Sequence, residues 1–183
     1  MSIPTRVLSW LTLSSIALLG QFVTAAEIGR IDVTVHRGVY RIDMTFELTK
    51  SVPEIVALLT NFDYPDPLNP DVTSRKIISI NDNITRVRTE FQMCSLFACK
   101  PTVLIQDVSS TEDYVVANVV PDGSSFKSGR LEWHILRSDN GRSVVKLGGT
   151  MEPGFFVLPV IGTMIAKNRL RKQLAETAMR LER

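Results

Sequence analysis

Apolar and polar residues alternate without a break from Val39 to Leu48. Tyr40, Ile42, Met44, Phe46 and Leu48 fall on one side, and Arg41, Asp43, Thr45 and Glu47 on the other. Period two with one charged face predicts a half-buried strand. The stretch before it, from residue 28, reads as β-structure broken near Arg37-Gly38. At Ser51 the period changes. Pro53 and Glu54 follow a serine that suits an N-cap, and Ile55, Val56, Leu58 and Leu59 supply an apolar stripe, so a short helix is predicted. The segment Asn61 to Pro70 holds three prolines. Neither a regular helix nor a central strand runs through such a segment, and a bend with at most one short helical turn is expected.

Alternation returns at Val72. Strands are predicted at Val72–Ile80, Ile84–Cys94, Cys99–Val108, Tyr114–Pro121, Phe126–Arg137 and Ser143–Glu152, with turns at Asn81-Asp82-Asn83 and Asp139-Asn140-Gly141-Arg142. Short strands with turns about every ten residues predict a meander of antiparallel hairpins. From Val160 to about Leu181 the chain is rich in Leu, Ala, Lys, Arg, Gln and Glu and holds no proline, and one long helix is expected. Its size makes it the natural cover for the sheet's apolar face. The fold class is therefore α+β: an antiparallel sheet of about six to seven strands, one or two short helices after the first strand, and a long C-terminal helix.

The N-terminus has a different pattern. Val7 to Val23 is free of charge, one basic residue precedes it, and the small residues Thr24-Ala25-Ala26 follow. This is the layout of a signal peptide spanning residues 1–26, cleaved after Ala25 or Ala26, with a retained membrane anchor as the competing reading. No cysteine lies near the site for lipid attachment. A periplasmic location and a single domain over residues 27–183 are expected. Lys and Arg number 21 against 19 Asp and Glu in the full chain. Loss of Arg6 with the leader brings the net charge near +1, which gives no reason to expect nucleic acid as a partner.

Export also bears on Cys94 and Cys99, which flank a predicted hairpin turn. In an oxidising compartment such a pair tends to form a disulfide. A zinc site would need about four ligands, and a redox motif a shorter spacing. Closing so short a loop would contribute roughly 2 kcal/mol. No catalytic constellation is visible. There is no G-x-S-x-G elbow and no nucleotide-binding glycine pattern, so neither cofactor nor metal is indicated. His134 shares parity with Arg130 and Glu132 and should face solvent, and His36 adjoins a turn. Asp63 and Asp66 read as turn formers, Glu90 and Glu152 as outward-facing, and Asn83-Ile84-Thr85 as a chance glycosylation match. Nothing here marks an enzyme.

Three stretches, taken in order, carry a family resemblance. They are Gly38–Leu48 with Ser51–Pro65 and Leu68-Asn-Pro-Asp-Val72, then Phe126-Lys-Ser-Gly-Arg-Leu-Glu-Trp133 with Gly149-Thr-Met-Glu-Pro153, and Pro159-Val-Ile-Gly162 leading into the terminal helix. Together they resemble the START-like superfamily of polyketide cyclases/dehydrases and lipid transport proteins, in its coenzyme Q-binding-like branch, over residues 38–182. The absence of tryptophan at Val56 or Ala57, the cysteine pair and the leader depart from that family's cytoplasmic members. The resemblance implies a helix-grip fold, in which a curved sheet wraps the long helix and encloses a cavity for a lipid, quinone or similar hydrophobic molecule. Residues expected to line it are Phe91, Met93, Leu131, Trp133, Leu147, Met151 and Met164, a set whose methionine and aromatic content suits an adaptable apolar pocket. Tyr40, Met44 and Phe46 are further inward candidates.

On the helical wheel the terminal helix carries two apolar stripes. One is Ala166, Leu170, Leu174, Thr177, Ala178 and Leu181; the other is Ile161, Met164, Ile165, Ala175 and Met179. A helix lying on a sheet needs one stripe. The apolar entry, with Phe155, Phe156, Leu158 and Ile161 beside Lys167, Arg169, Arg171 and Lys172, is therefore expected to form a portal or membrane-facing lip. The expected function is exported binding or transfer of a hydrophobic ligand. The alternatives are a cyclase or hydrolase using the same cavity, and an envelope domain with no ligand.

Overall fold

The computed structural model describes residues 26–63, 65–94, 99–157 and 161–183, with only the backbone of Met93, Cys94 and Ile161. The leader, Leu158 and the tip of the Cys94–Cys99 hairpin therefore lie outside the described residues. Eight strands are present: β1 (Glu27–His36), β2 (Val39–Leu48), β3 (Val72–Asn81), β4 (Ile84–Cys94), β5 (Cys99–Ser110), β6 (Tyr114–Val119), β7 (Phe126–Arg137) and β8 (Ser143–Pro153). Two helices accompany them, α1 (Val52–Leu59) and α2 (Ile161–Glu182). The strands form one antiparallel sheet in the order β1-β2-β8-β7-β6-β5-β4-β3.

The count exceeds the six to seven strands expected because the break at Arg37-Gly38 is a tight hairpin. Both residues have positive φ, 49° and 82°, the geometry that matches strand twist in a two-residue turn. That hairpin adds β1 as an edge strand, so the short helix follows the second strand. Glu54 caps it by accepting hydrogen bonds from the Ser51 backbone N–H at 2.8 Å and hydroxyl at 2.6 Å.

The core sits at one end of the concave face. Ile42, Met44, Phe46 and Leu48 of β2, Ile135 of β7 and Val145 and Leu147 of β8 are buried there, under Ile55 of α1 and Ala178 and Leu181 of α2. Leu170 and Leu174 pack against the same cluster. The first of the two stripes in α2 is thus the core-facing one, while Met164 and Met179 of the second are exposed. A smaller cluster of Val108, Val115 and Ala117 is covered by Val56, Leu59 and Phe62.

Polar contacts tie the covering elements to the sheet. The Glu182 carboxylate accepts from the Thr49 N–H at 2.9 Å and its hydroxyl at 2.7 Å. Gln173 donates to Asp71 at 2.9 Å. The proline-rich segment is pinned at Asp66, whose Oδ1 accepts the Leu68 N–H at 2.8 Å. The Asp66 Oδ2 pairs with Arg75, and both side chains are largely buried, at 2% and 17% exposure. Arg75 lies inward because it shares parity with Thr89 and Val87 across the β3–β4 ladder.

Two substitutions test this frame. Gly149 has φ of 154°, and a Cβ there would overlap the Arg130 carbonyl oxygen, whereas Gly148 has open space. Gly149→Ala should cost about 3 kcal/mol or more in denaturant unfolding, and Gly148→Ala under about 1 kcal/mol. Asp66→Ala leaves a buried guanidinium uncompensated and should cost about 3 kcal/mol, while adding Arg75→Met to it should recover part of that loss.

Candidate functional site

Beyond the core, the same concave face changes character. Leu131 and Trp133 share parity with Ile135 on β7, yet Ile135 is 1% exposed and the other two are only half-buried. β7 is a central strand, so strands on both sides protect its flanks and the opening is on the concave side. Met151 and Phe91 are half-buried in the same way, whereas Leu147 and Tyr40 are buried at 5% and 6%. Gly149 takes a place between Ile42 and Leu131 without a side chain. Leu131, Trp133, Met151 and Phe91 are thus partly buried side chains on the face that holds the core, with Leu131 and Trp133 packed at its margin.

The N-terminal part of α2 is more open than its C-terminal end. No described side chain from Gly162 to Thr177 is buried; the first buried one is Ala178. The helix is therefore held most tightly at its C-terminal end, with Leu170 and Leu174 partly buried against the core and the turns before them more open. A periodicity argument counts apolar positions without regard to how near the opposite wall lies, which is why the two stripes looked equivalent in sequence.

One end of this face is aromatic. Phe155 stands edge-on to Phe126, with centroids 5.9 Å apart and planes at 73°, and Phe126 in turn lies 6.4 Å from Phe91. Phe126 is buried, Phe155 is 37% exposed and Phe156 is 80% exposed. The three rings lead from the surface to this face. The Gly154 N–H donates to the Ser125 carbonyl at 2.8 Å, fixing the segment that carries Phe155 against the start of β7.

The expected lining set is thus only partly gathered. Phe91, Leu131, Trp133 and Met151 share this face, and Leu147 joins the packed core beside them. Met164, placed among the lining residues by its stripe, is 58% exposed. It borders an open groove of about 300 Å³ with Thr163, Lys167, Asn168 and Arg171. The side chains of Met93 and Ile161, and Leu158 altogether, fall outside the described residues. Cys94 and Cys99 are Cα partners at the end of the β4–β5 ladder.

Titratable chemistry is concentrated on the other face. Tyr114 donates to Glu132 at 2.8 Å, and Arg130 donates to the same carboxylate at 2.6 Å. These bonds, the Tyr114 one foremost, hold the Glu132 carboxyl below the usual range. Burial, then the Glu132 bond, raises the Tyr114 phenol. His134 stacks on Tyr114 at 4.5 Å and is exposed. On the concave side the phenol of Tyr40 is raised by burial. The Asp66–Arg75 pair was not foreseen as a unit. The available signal was an arginine on the apolar face of β3, which demands a carboxylate nearby. Among the described residues no group of His, Cys, Asp and Glu could hold a metal ion, and no helix is long and apolar enough to cross a membrane.

No protein-family model and no curated protein matches this sequence. Solved structures do match it by shape. A START superfamily protein from Mycobacterium smegmatis superposes with a TM-score of 0.60 at 18% identity, covering 78% of this chain and 94% of its own. A STAR-related lipid transfer protein from Xanthomonas axonopodis gives 0.58 at 14% identity, covering 83% and 96%. An aromatase/cyclase from a Streptomyces species gives 0.59 at 11% identity, covering 78% and 92%. Such likenesses establish architecture, and with the element order and the long closing helix they identify the fold as the START-like helix-grip fold.

Proposed function

We propose that this protein binds a hydrophobic ligand, a lipid, quinone or similar molecule, in the groove between the sheet and the first turns of α2, and transfers it to or from a membrane. The observation that carries the reading is the partial burial of Leu131, Trp133, Met151 and Phe91 on the face whose other end is the packed core. Apolar side chains left accessible there are stabilised by an apolar occupant at about 25 cal/mol per Å² covered. Similar structures that include a STAR-related lipid transfer protein support the same reading. The aromatic row Phe155–Phe126–Phe91 serves as the portal, and Phe155 and Phe156 as the lip that enters the membrane surface.

Export is part of this proposal. The uncharged run and small-residue site at residues 1–26 support cleavage and a periplasmic location. The register of Cys94 opposite Cys99 supports a disulfide closing the β4–β5 hairpin. A second reading is a cyclase-type enzyme using the same groove. Similar structures include aromatase/cyclases, and the buried Tyr40 phenol, raised by burial, is the proton donor such an enzyme would use.

Lipid extracted from gently purified protein and examined by mass spectrometry should contain a stoichiometric hydrophobic species. Trp133 emission should shift to shorter wavelength when a delipidated sample is given a fatty acid or quinone. A filled groove with no bound species and no Trp133 response would leave only the envelope-domain alternative. Phe155→Ser with Phe156→Ser should weaken vesicle association about tenfold or more, given the apolar area removed, and leave the unfolding midpoint nearly unchanged. Unchanged association would remove the lip from the mechanism.

A further inference from the structure

The open groove beside the lip has a chemistry of its own. Thr163, Met164, Lys167, Asn168 and Arg171 line about 300 Å³ along one flank of α2. On the helical wheel Thr163 and Lys167 fall next to the core-facing Leu170 and Leu174, while Met164 and Asn168 lie further round. The groove therefore extends from the edge of the core-facing stripe round to the exposed side of the helix. Its polar side chains are a hydroxyl, an amide, an ammonium and a guanidinium, and no carboxylate is among them.

The surrounding charge strengthens this bias. From Pro153 to Ala175 the sequence contains no Asp or Glu, and the first turn of α2 carries no acidic residue. Lys167 has no carboxylate partner among the described residues. Arg171 reaches Asp32 only at 3.6 Å, and Asp32 is shared with Arg30 at 3.3 Å. The Arg171 Nε is buried and has no hydrogen-bond acceptor. The Arg171 side chain as a whole is 42% exposed and so remains accessible to an arriving anion. Exposed Met164 places a thioether beside the cations, a combination that suits an amphiphile better than a free ion.

We propose that this flank of α2 is a phosphate-binding site for the headgroup of an anionic phospholipid, positioned next to the portal. The inference rests on the membrane-transfer reading above and assigns that reading a lipid class. Phe155 and Phe156 enter the apolar layer, while Lys167 and Arg171, one helical turn apart, hold a phosphate at the headgroup level. Thr163 and Asn168 supply neutral donors to the remaining phosphate oxygens.

The test compares full-length chains on phosphatidylcholine vesicles with and without phosphatidylglycerol. The anionic-over-neutral affinity ratio is the readout, because any contribution from the apolar N-terminus is common to both vesicle types and all variants. The wild type should prefer the anionic vesicles, and Lys167→Gln with Arg171→Gln should lower the ratio about tenfold or more. Lys76→Gln with Lys146→Gln, both exposed on strands, makes the same change in net charge away from the groove and should retain most of the preference. Equal loss in both pairs would reduce the effect to diffuse electrostatics and overturn the site, as would a wild type with no preference. Inorganic phosphate supplies the second arm. Displacement from anionic vesicles by phosphate, beyond that caused by chloride at equal ionic strength and confined to the wild type, would assign the site to the free ion and overturn the lipid source. Resistance to phosphate supports it. Bound lipid and the Trp133 response report on the apolar groove independently, so failure there is separable from failure here.

Discussion

The last two turns of α2 hold this molecule together. Ala178 and Leu181 are fully buried against Met44, Phe46, Leu48, Ile55 and Val145, and the small side chain at Ala178 lets the helix come close to the sheet. Burying a leucine of this kind contributes about 2 kcal/mol. The Glu182 carboxylate then anchors the helix end to Thr49 through three hydrogen bonds. A negative charge at a helix C-terminus opposes the macrodipole, and these bonds offset that cost. The grip is strongest at this end, and Leu170, Leu174 and the Gln173–Asp71 bond add lesser contacts one to two turns earlier.

That asymmetry underlies the proposed groove. Had α2 packed along its whole length, Leu131 and Trp133 would be as buried as Ile135, since the three share one face of one strand. Instead the floor lacks a side chain at Gly149, and the proline-rich segment is held at the side by Asp66–Arg75 and by Gln173–Asp71. A buried ion pair is a poor source of net stability and a good way to fix one geometry, because any slip exposes an uncompensated charge. It fits a segment that borders an opening and cannot rely on dense apolar contacts.

Alternation made most of this architecture legible in the sequence. β2, β7 and β8 place the same residues inward that the strand pattern assigned, and the Leu170–Leu174–Ala178–Leu181 stripe is the one that meets the core. The lining was read less well because a period reports a face and not a distance. Leu147 and Leu131 have equal parity, but the neighbouring β2 residue is Met44 for one and, across Gly149, Ile42 for the other. Met164 belongs to the stripe opposite the packed one and is 58% exposed. Arg75 escaped notice because two bulges in β3, between Val72 and Ser74 and between Ile77 and Ser79, break the alternation that would have exposed it.

The two faces of the sheet divide the chemistry. Tyr114, Glu132, Arg130 and His134 form a hydrogen-bonded and stacked cluster on the convex side, where water screens charges and no groove is framed. The concave side is largely apolar, with Tyr40, Thr89, Thr102 and the Asp66–Arg75 pair among its polar members. Proton transfer needs a donor and an acceptor poised near neutrality. Tyr40 is pushed the other way by burial, and Asp66 is already committed to Arg75. An interior arranged in this manner dissolves a hydrophobic molecule well and offers it little acid–base chemistry. In the proposed reading, the cations of α2 hold a headgroup outside while the chains of the lipid lie against this apolar face.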